Sequence, residues 1–253
     1  MTNFIIFTTQ RSGSTVLTKT LDEHPQVFVA GEIFHTNNEI HHPEWHFPFK
    51  NYLGKGTARG MLMKVNKALN NIGMQNKIKK HLDAFYTATE AAETARGFKL
   101  MQSQVKSNPA IWQYIKNNDV KIIVLVRKNI FETALSRYRG RETKVYHSDS
   151  TTTQKQKLQI PVAEFTAWLR TLEEANKKLL QQTEGMNRLV LYYEDFANWN
   201  NILQQTFGFL QVDMIAIPPA LQKVGAKDWR AGIENYEELE KALQQTNYAG
   251  WLN

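Results

Sequence analysis

Cysteine is absent from this chain of 253 residues. Its absence excludes disulfide frameworks, thiolate nucleophiles and cysteine-ligated zinc sites, and it fits a reducing compartment. Long apolar runs are missing as well. Nowhere do about 18 consecutive apolar residues occur, the length that a membrane span needs, and the short apolar run Phe4 to Phe7 does not suit a signal peptide. We therefore expect a cytoplasmic protein without a membrane span.

The composition is that of a globular protein, with 42% hydrophobic and 22% charged residues, which excludes disordered and fibrous proteins. Lysine and arginine number 31 against 24 acidic residues, a net charge of +7. This excess favours anionic partners, although it also suits a merely basic surface. No recognition helix or RNA-binding signature accompanies it, so we expect no nucleic-acid partner. The length predicts one domain over residues 1–253.

Strand-like and helical patterns alternate along the chain. The apolar β-prone runs lie at residues 4–8, 97–101, 121–126 and 188–193. Helical patterns follow from Ser14, across 61–95, and from Pro109, Ile130, Pro161 and Asn235. Such alternation predicts parallel βαβ units, and hence an α/β fold with a central parallel sheet flanked by helices.

The loop after the first predicted strand has the chemistry of an anion site. The helix that follows would offer unpaired backbone N–H groups and a partial positive charge. Gly13 allows close approach, Ser12, Ser14 and Thr15 add hydroxyl groups, and Arg11 adds a forked cation. A Walker A loop, G-x-x-x-x-G-K-[ST], is not present, which disfavours an ordinary ATPase or kinase. The alternative to an anion site is that the loop only begins a helix and that Arg11 is an ordinary surface residue.

A second basic segment follows the predicted strand 121–126. Arg127 and Lys128 stand at the strand end, and Ser136 lies about two helical turns later. These side chains can face one crevice at the carboxyl ends of parallel strands, where α/β folds bind ligands. The alternative is an exposed strand end followed by a surface serine.

The two segments together resemble a known family. Arg-Ser-Gly-Ser-Thr after a first strand resembles the 5′-phosphosulfate loop of sulfotransferases that use 3′-phosphoadenosine-5′-phosphosulfate (PAPS). The run Leu21-Asp22-x-His24-Pro25 before Gly31-Glu32 is similar to tyrosylprotein sulfotransferases, and the pairing of the loop with Gly-Glu resembles bacterial trehalose sulfotransferases. The resemblance implies a P-loop-like sulfotransferase fold. It also implies transfer of a sulfuryl group to a hydroxyl of a carbohydrate or another small acceptor.

The resemblance also assigns the donor contacts. It implies that Arg11 to Thr15 hold the 5′-phosphosulfate and that Ser136, with a basic residue, holds the 3′-phosphate. The common family spacing, eight positions before the serine, selects Lys128, whereas the trehalose-sulfating branch has nine, which selects Arg127. We favour Arg127, because arginine binds phosphate bidentately, and keep Lys128 as a second contact.

Two further roles follow from the same resemblance. Glu32 matches the proposed general base of these families, which removes the acceptor's proton, while Arg11 would stabilise developing charge. The alternative to a catalytic role is that Glu32 is an ordinary surface residue of a loop. The third cofactor region matches loosely, since only Lys223 of the usual Arg-Lys-Gly is present at 222–224. This scheme needs no metal.

Residues 35–95 and 137–160 are expected to shape the acceptor pocket. Histidines 35, 41, 42 and 46 invite a metal interpretation, but Pro43 interrupts the only i, i+4 pair and no H-E-x-x-H motif is present. We therefore expect no metal, and interpret them as acceptor contacts or loop histidines, with His35 nearest the candidate base. Two other functions stay open: an atypical P-loop nucleotide kinase, and a non-catalytic nucleotide- or polyanion-binding protein.

Overall fold

Five parallel strands form one sheet in the computed structural model, which describes residues 1–35, 41–48, 62–88, 90–143, 157–221 and 230–251. The strands are β1 (Thr2–Thr8), β2 (Val27–Ala30), β3 (Ala95–Met101), β4 (Lys121–Val126) and β5 (Arg188–Tyr192). Their order is β2-β3-β1-β4-β5, and every pairing is parallel. The predicted α/β class is confirmed.

Helices connect the strands. They are α1 (Ser14–Asp22), α2 (Leu62–Thr87), α3 (Gln102–Ser107), α4 (Pro109–Asn117), α5 (Ile130–Thr143), α6 (Val162–Gln182), α7 (Trp199–Leu210) and α8 (Tyr236–Gln244). Short 3₁₀ turns lie at Pro43–Trp45, Tyr193–Asn198, Arg230–Gly232 and Ala249–Trp251. The helical patterns of the sequence correspond to most of these helices, whereas α3 and α7 were not predicted.

Both faces of the sheet are covered, which explains why its strands are continuously apolar. Successive side chains of a strand point to opposite faces. Phe7 accordingly joins a core with Phe85 of α2, while Ile6 joins one with Leu17 of α1 and Phe207 of α7. The central strand β1 is therefore fixed from both sides.

A third core cluster joins α5, α6 and α8. Phe131 of α5 packs edge-on against Phe165 of α6, with the ring centroids 5.4 Å apart, and Leu239 and Leu243 of α8 belong to the same cluster. This packing holds α5 in place at the end of β4, at the carboxyl edge of the sheet. None of the helices in the described residues is both long and apolar enough to span a membrane.

Candidate active site

The loop between β1 and α1 is shaped around a glycine. Gly13 is the N-cap of α1 and has φ +85°, a left-handed conformation that glycine adopts without strain. A Cβ at this position would lie 2.4 Å from Cδ2 of Tyr193. Arg11 also has a positive φ of 64°, which is uncommon for a residue with a side chain. The loop thus brings backbone amides of the first helical turn to the carboxyl edge of the sheet.

The three hydroxyl residues of this loop have different surroundings. Ser12 is fully buried, and its Oγ lies 2.5 Å from Oγ1 of Thr8. Thr8 in turn donates to the carbonyl of Leu125 in β4. The Ser12 hydroxyl therefore fastens the loop to the sheet and leaves its backbone N–H as the group that can meet a ligand. Ser14 and Thr15 begin α1, and Oγ1 of Thr15 lies 3.5 Å from Nζ of Lys99.

The two basic segments meet in space. Nε of Arg11 donates a hydrogen bond to Oγ of Ser136 at 3.0 Å, across 125 residues of sequence. Nη1 of Arg127 lies 3.4 Å from the carbonyl oxygen of Arg11. We call these three residues the Arg11 cluster. It lies where β1 and β4 end side by side, as the crevice rule for parallel sheets predicts.

Arg127 is the buried member of the Arg11 cluster, with 9% of its surface exposed. Its guanidinium pairs with Glu132 and stacks 4.4 Å from the ring centroid of Tyr193. Among the described residues, its Nε has no hydrogen-bond partner. Buried polar groups are seldom left unpaired, so this N–H is suited to an oxygen of a bound anion.

Lys128 points to different surroundings. Its Nζ lies 3.8 Å from the ring centroid of Tyr192. It lines a cavity of about 340 Å³ together with Asn176 and Trp251. Asn176 also contacts the first loop: it donates to the carbonyl of Arg127 at 2.8 Å and accepts from Thr9 at 3.3 Å. Of the two adjacent basic residues, Arg127 is the one that contacts the first loop.

Glu32 belongs to a second polar group, beyond the end of β2. Its Oε1 lies 3.0 Å from Nζ of Lys99, and its Oε2 accepts from the Gln104 side-chain amide at 3.0 Å. The exposed fractions of the Lys99 and Glu32 side chains are 12% and 20%. Because Lys99 also contacts Thr15, it links the candidate base to the start of α1.

Sequence reasoning did not find Lys99 or Gln104. Lys99 lies inside β3. A single charged residue in a strand usually faces solvent, so the sequence gives it no special role. The available signal was the run Gly97 to Met101, in which a lysine interrupts side chains that are otherwise buried. A lysine on a strand covered on both faces needs an anionic partner, and Glu32 provides it.

The remaining predicted positions have mixed outcomes. Glu194 accepts from the backbone N–H groups of Lys128 and Asn129, so it holds the second basic segment in place. His46 approaches the carbonyl of His35 at 2.5 Å. Lys223 lies outside the described residues, as do the neighbouring positions of its loop.

Comparison with known proteins decides the family. A sequence model described as the sulfotransferase family matches residues 3–214, which include the Arg11 cluster, Glu32 and Lys99. This chain belongs to the sulfotransferase family. The predicted enzyme class, a sulfotransferase, is thereby confirmed.

Solved structures add the fold. The sulfotransferase from Alicyclobacillus acidocaldarius superposes with a TM-score of 0.50 at 15% identity, over 100% of this chain and 99% of the other. Mouse sulfotransferase SULT7A1, complexed with PAP, superposes with a TM-score of 0.46 at 12% identity, over 85% of this chain and 59% of the other. No curated protein matches the sequence of this sulfotransferase. The full-length superposition on the first structure confirms the sulfotransferase fold.

Proposed function

We propose that this sulfotransferase moves a sulfuryl group from PAPS to a hydroxyl of a carbohydrate or another small-molecule acceptor. The observation that carries the proposal is the 3.0 Å hydrogen bond from Arg11 to Ser136. It joins the two segments whose residue types suit a nucleotide with an anionic group at each end. PAPS is such a nucleotide, because its 5′-phosphosulfate and its 3′-phosphate both need cationic or N–H partners.

The residues present fit such a donor. Arg11 and the backbone of residues 12–15 would hold the 5′ end, where α1 begins. Arg127 and Ser136 would hold the 3′-phosphate, and this assignment is supported by the buried Nε of Arg127, which has no hydrogen-bond partner in the described part of the chain. Lys128 and Lys223 remain proposed secondary contacts. When bound, PAPS supplies the sulfuryl group, and the protein supplies position and charge.

Glu32 is the proposed general base. A carboxylate within hydrogen-bond reach of the acceptor hydroxyl can remove its proton as the new bond forms. Lys99 holds one oxygen of that carboxylate and Gln104 the other, so the group has a fixed orientation. Lys99 also brings a positive charge beside Thr15, where negative charge gathers on the departing nucleotide. Arg11 would stabilise the same charge from the other side of the loop.

The acceptor is proposed to bind beside Glu32. We propose that residues 35–95 and 137–160 shape the acceptor pocket as elaborations of a single domain over residues 1–253. His35 follows the base by three positions, and its N–H donates to the Glu32 carbonyl at 2.8 Å. A histidine so placed is a candidate acceptor contact.

Nucleotide binding tests the proposal directly. Adenosine 3′,5′-bisphosphate should raise the melting temperature of the full chain, because a ligand bound only by the native state stabilises it by RT ln(1 + [L]/Kd). ADP, which lacks the 3′-phosphate, should stabilise much less. Arg127→Ala should weaken bisphosphate binding by about 10-fold or more, since charged hydrogen bonds are worth about 1.5–3 kcal/mol.

Lys128→Ala is the matched control, because the two residues are adjacent and the Lys128 ammonium lies over the ring of Tyr192, away from the Arg11–Ser136 hydrogen bond. A smaller loss in Lys128→Ala than in Arg127→Ala supports Arg127 as the main contact, and the reverse order overturns it. Stabilisation by ATP equal to that by the bisphosphate would contradict the proposed donor. Release of the bisphosphate from PAPS in the presence of sugars would then identify the acceptor.

A further inference from the structure

Three side chains near the end of α1 form a compact group, the His–Asp cluster: Asp22, His41 and His42. Both rings approach the same carboxylate oxygen. Nε2 of His41 lies 2.6 Å from Oδ2 of Asp22, and Nε2 of His42 lies 2.8 Å from it. The backbone of His42 has φ +59°, and the rings of these neighbouring residues are 4.2 Å apart. All three ligand atoms lie within 4.8 Å of one another.

His42 faces a carboxylate with each of its ring nitrogens. Its Nε2 faces Asp22, and its Nδ1 faces Oε1 of Glu44 at 3.1 Å. A neutral imidazole carries one N–H hydrogen, so it can donate to only one of the two carboxylates. A metal ion held by Nε2 and Asp22 would leave that hydrogen on Nδ1 for Glu44.

The surroundings suit a metal ion. Two imidazole nitrogens and one carboxylate oxygen are a donor set that zinc accepts, with bonds of about 2.0–2.2 Å. Metal-ligating histidines usually donate their other N–H to a carboxylate, and Glu44 is placed to receive it. The second oxygen of Asp22 accepts the Val29 backbone N–H at 2.8 Å, which orients the carboxylate. His41 is 36% exposed, which leaves access for a water ligand.

We propose that Asp22, His41 and His42 form a binding site for a divalent transition metal of the zinc type, with Glu44 as an outer partner. The spacing of the histidines along the sequence predicts no metal, because the histidines alone form no ligand motif. Folding supplies the missing ligand, since Asp22 lies 19 residues before His41.

The proposed ion would have a structural role. It would join the end of α1 to residues 41–48. The carbonyl of His41 accepts the N–H of Gly31 at 2.9 Å, and Gly31 directly precedes Glu32. A metal at the His–Asp cluster would therefore fix the backbone beside the candidate base without touching reactants. The inference does not depend on the donor or acceptor proposed above.

Metal titration of the full chain, without an affinity tag and after chelator treatment, tests the site. We expect one equivalent of Co²⁺ to bind, to produce visible absorption bands of a histidine-ligated ion, and to be displaced by Zn²⁺. His41→Gln and His42→Gln should each weaken binding by at least about 10-fold, the scale of losses seen even for outer partners. His46→Gln is the matched control, since this histidine of the same segment contacts the His35 carbonyl instead.

The proposal is overturned if the wild-type chain binds no stoichiometric metal, or if His46→Gln weakens binding as much as the two ligand variants. Circular dichroism would check that each variant is folded. If His42→Gln does not fold, Glu44→Gln replaces it, because Glu44 is 57% exposed and leaves all three ligands in place. That variant should bind Co²⁺ about 10-fold more weakly, and unchanged affinity would contradict the outer-partner role.

Discussion

At the scale of single residues, the Glu32–Lys99 pair is the contact closest to the proposed chemistry. Glu32→Gln keeps the shape of the side chain and its contact with Gln104 but removes the base. Turnover should fall by about 10²–10⁴-fold, the usual contribution of a positioned base, and the loss of the ion pair with Lys99 should also lower the melting temperature. Steady-state sulfation with a fixed acceptor would measure it. Glu184→Gln, an exposed substitution, is the control, and equal activities of the two variants would remove Glu32 from this role.

Gly13 offers a second test at the same scale. Gly13→Ala would place a methyl group against the ring of Tyr193, at 2.4 Å, in a left-handed conformation. Gly185→Ala shares the positive φ, but no heavy atom lies within 4 Å of its new Cβ. We expect Gly185→Ala to lower the free energy of unfolding by about 1–2 kcal/mol.

Gly13→Ala should lose about 1–3 kcal/mol more, the range for overpacking. It should also bind adenosine 3′,5′-bisphosphate more weakly, because the ring and the loop must shift. Chemical denaturation of both variants measures the difference. Equal losses would show that the Tyr193 ring gives way without strain.

The residue scale also shows what the sequence can and cannot reveal. Arg127 and Ser136 were predicted to face one crevice at the carboxyl ends of parallel strands, and both contact Arg11 there: Nη1 of Arg127 lies 3.4 Å from the Arg11 carbonyl oxygen, and Oγ of Ser136 lies 3.0 Å from Nε of Arg11. Lys99 and Asp22 were missed. Each has an ordinary local context, and its partner is chosen by tertiary packing, which no local pattern encodes.

At the scale of elements, the start of α5 depends on a carboxylate from β5's end. Glu194 accepts from the N–H groups of Lys128 and Asn129 at 3.1 and 2.8 Å. An acidic side chain at a helix N-terminus satisfies unpaired donors and interacts favourably with the helix dipole. Glu194→Ala should therefore lower the free energy of unfolding by about 0.5–2 kcal/mol.

Asp195→Ala, the next residue in the same 3₁₀ turn, is the control and should have a smaller effect. Urea denaturation of the two variants compares them directly. If Asp195→Ala proved the more damaging, Glu194 would not be the residue that stabilises the start of α5.

Elements differed in how visible they were beforehand. The strand Lys121–Val126 was predicted with its observed limits, because a β-branched apolar run between polar residues strongly favours a buried strand. The helix Trp199–Leu210 was missed, although Leu203 and Phe207 are buried against the sheet. Its spacing became informative only once the sheet face that it covers was known.

At the scale of the whole molecule, the burial of His81 where α2 packs against the sheet makes the stability of the protein depend on pH. His81 lies among the rings of Phe34 and Phe47. Burial lowers its pKa below the ordinary 6.5, although the hydrogen bond to the Trp45 carbonyl acts in the opposite direction. The folded state therefore resists a proton that the unfolded chain accepts.

Stability should consequently fall as the pH drops below about 6.5, because the unfolded state then binds more protons than the folded state. The fall ends once the pH is below the lowered folded pKa. In His81→Gln, which can still donate to Trp45, the difference in unfolding free energy between pH 7.5 and pH 5.5 should be smaller. Denaturant titrations at both pH values measure it, and identical differences would exclude His81 as a source.

The ring of Tyr193 has a consequence for how the donor loop could be used outside this protein. The loop is encoded within the first 15 residues, but Gly13 packs closely against the side chain of Tyr193, which lies 180 positions later, after β5. A peptide or amino-terminal fragment that carries the loop but ends before Tyr193 would lack this packing contact. Grafting the short motif onto another scaffold should likewise fail to transfer nucleotide affinity unless an aromatic side chain that packs against the loop is grafted with it.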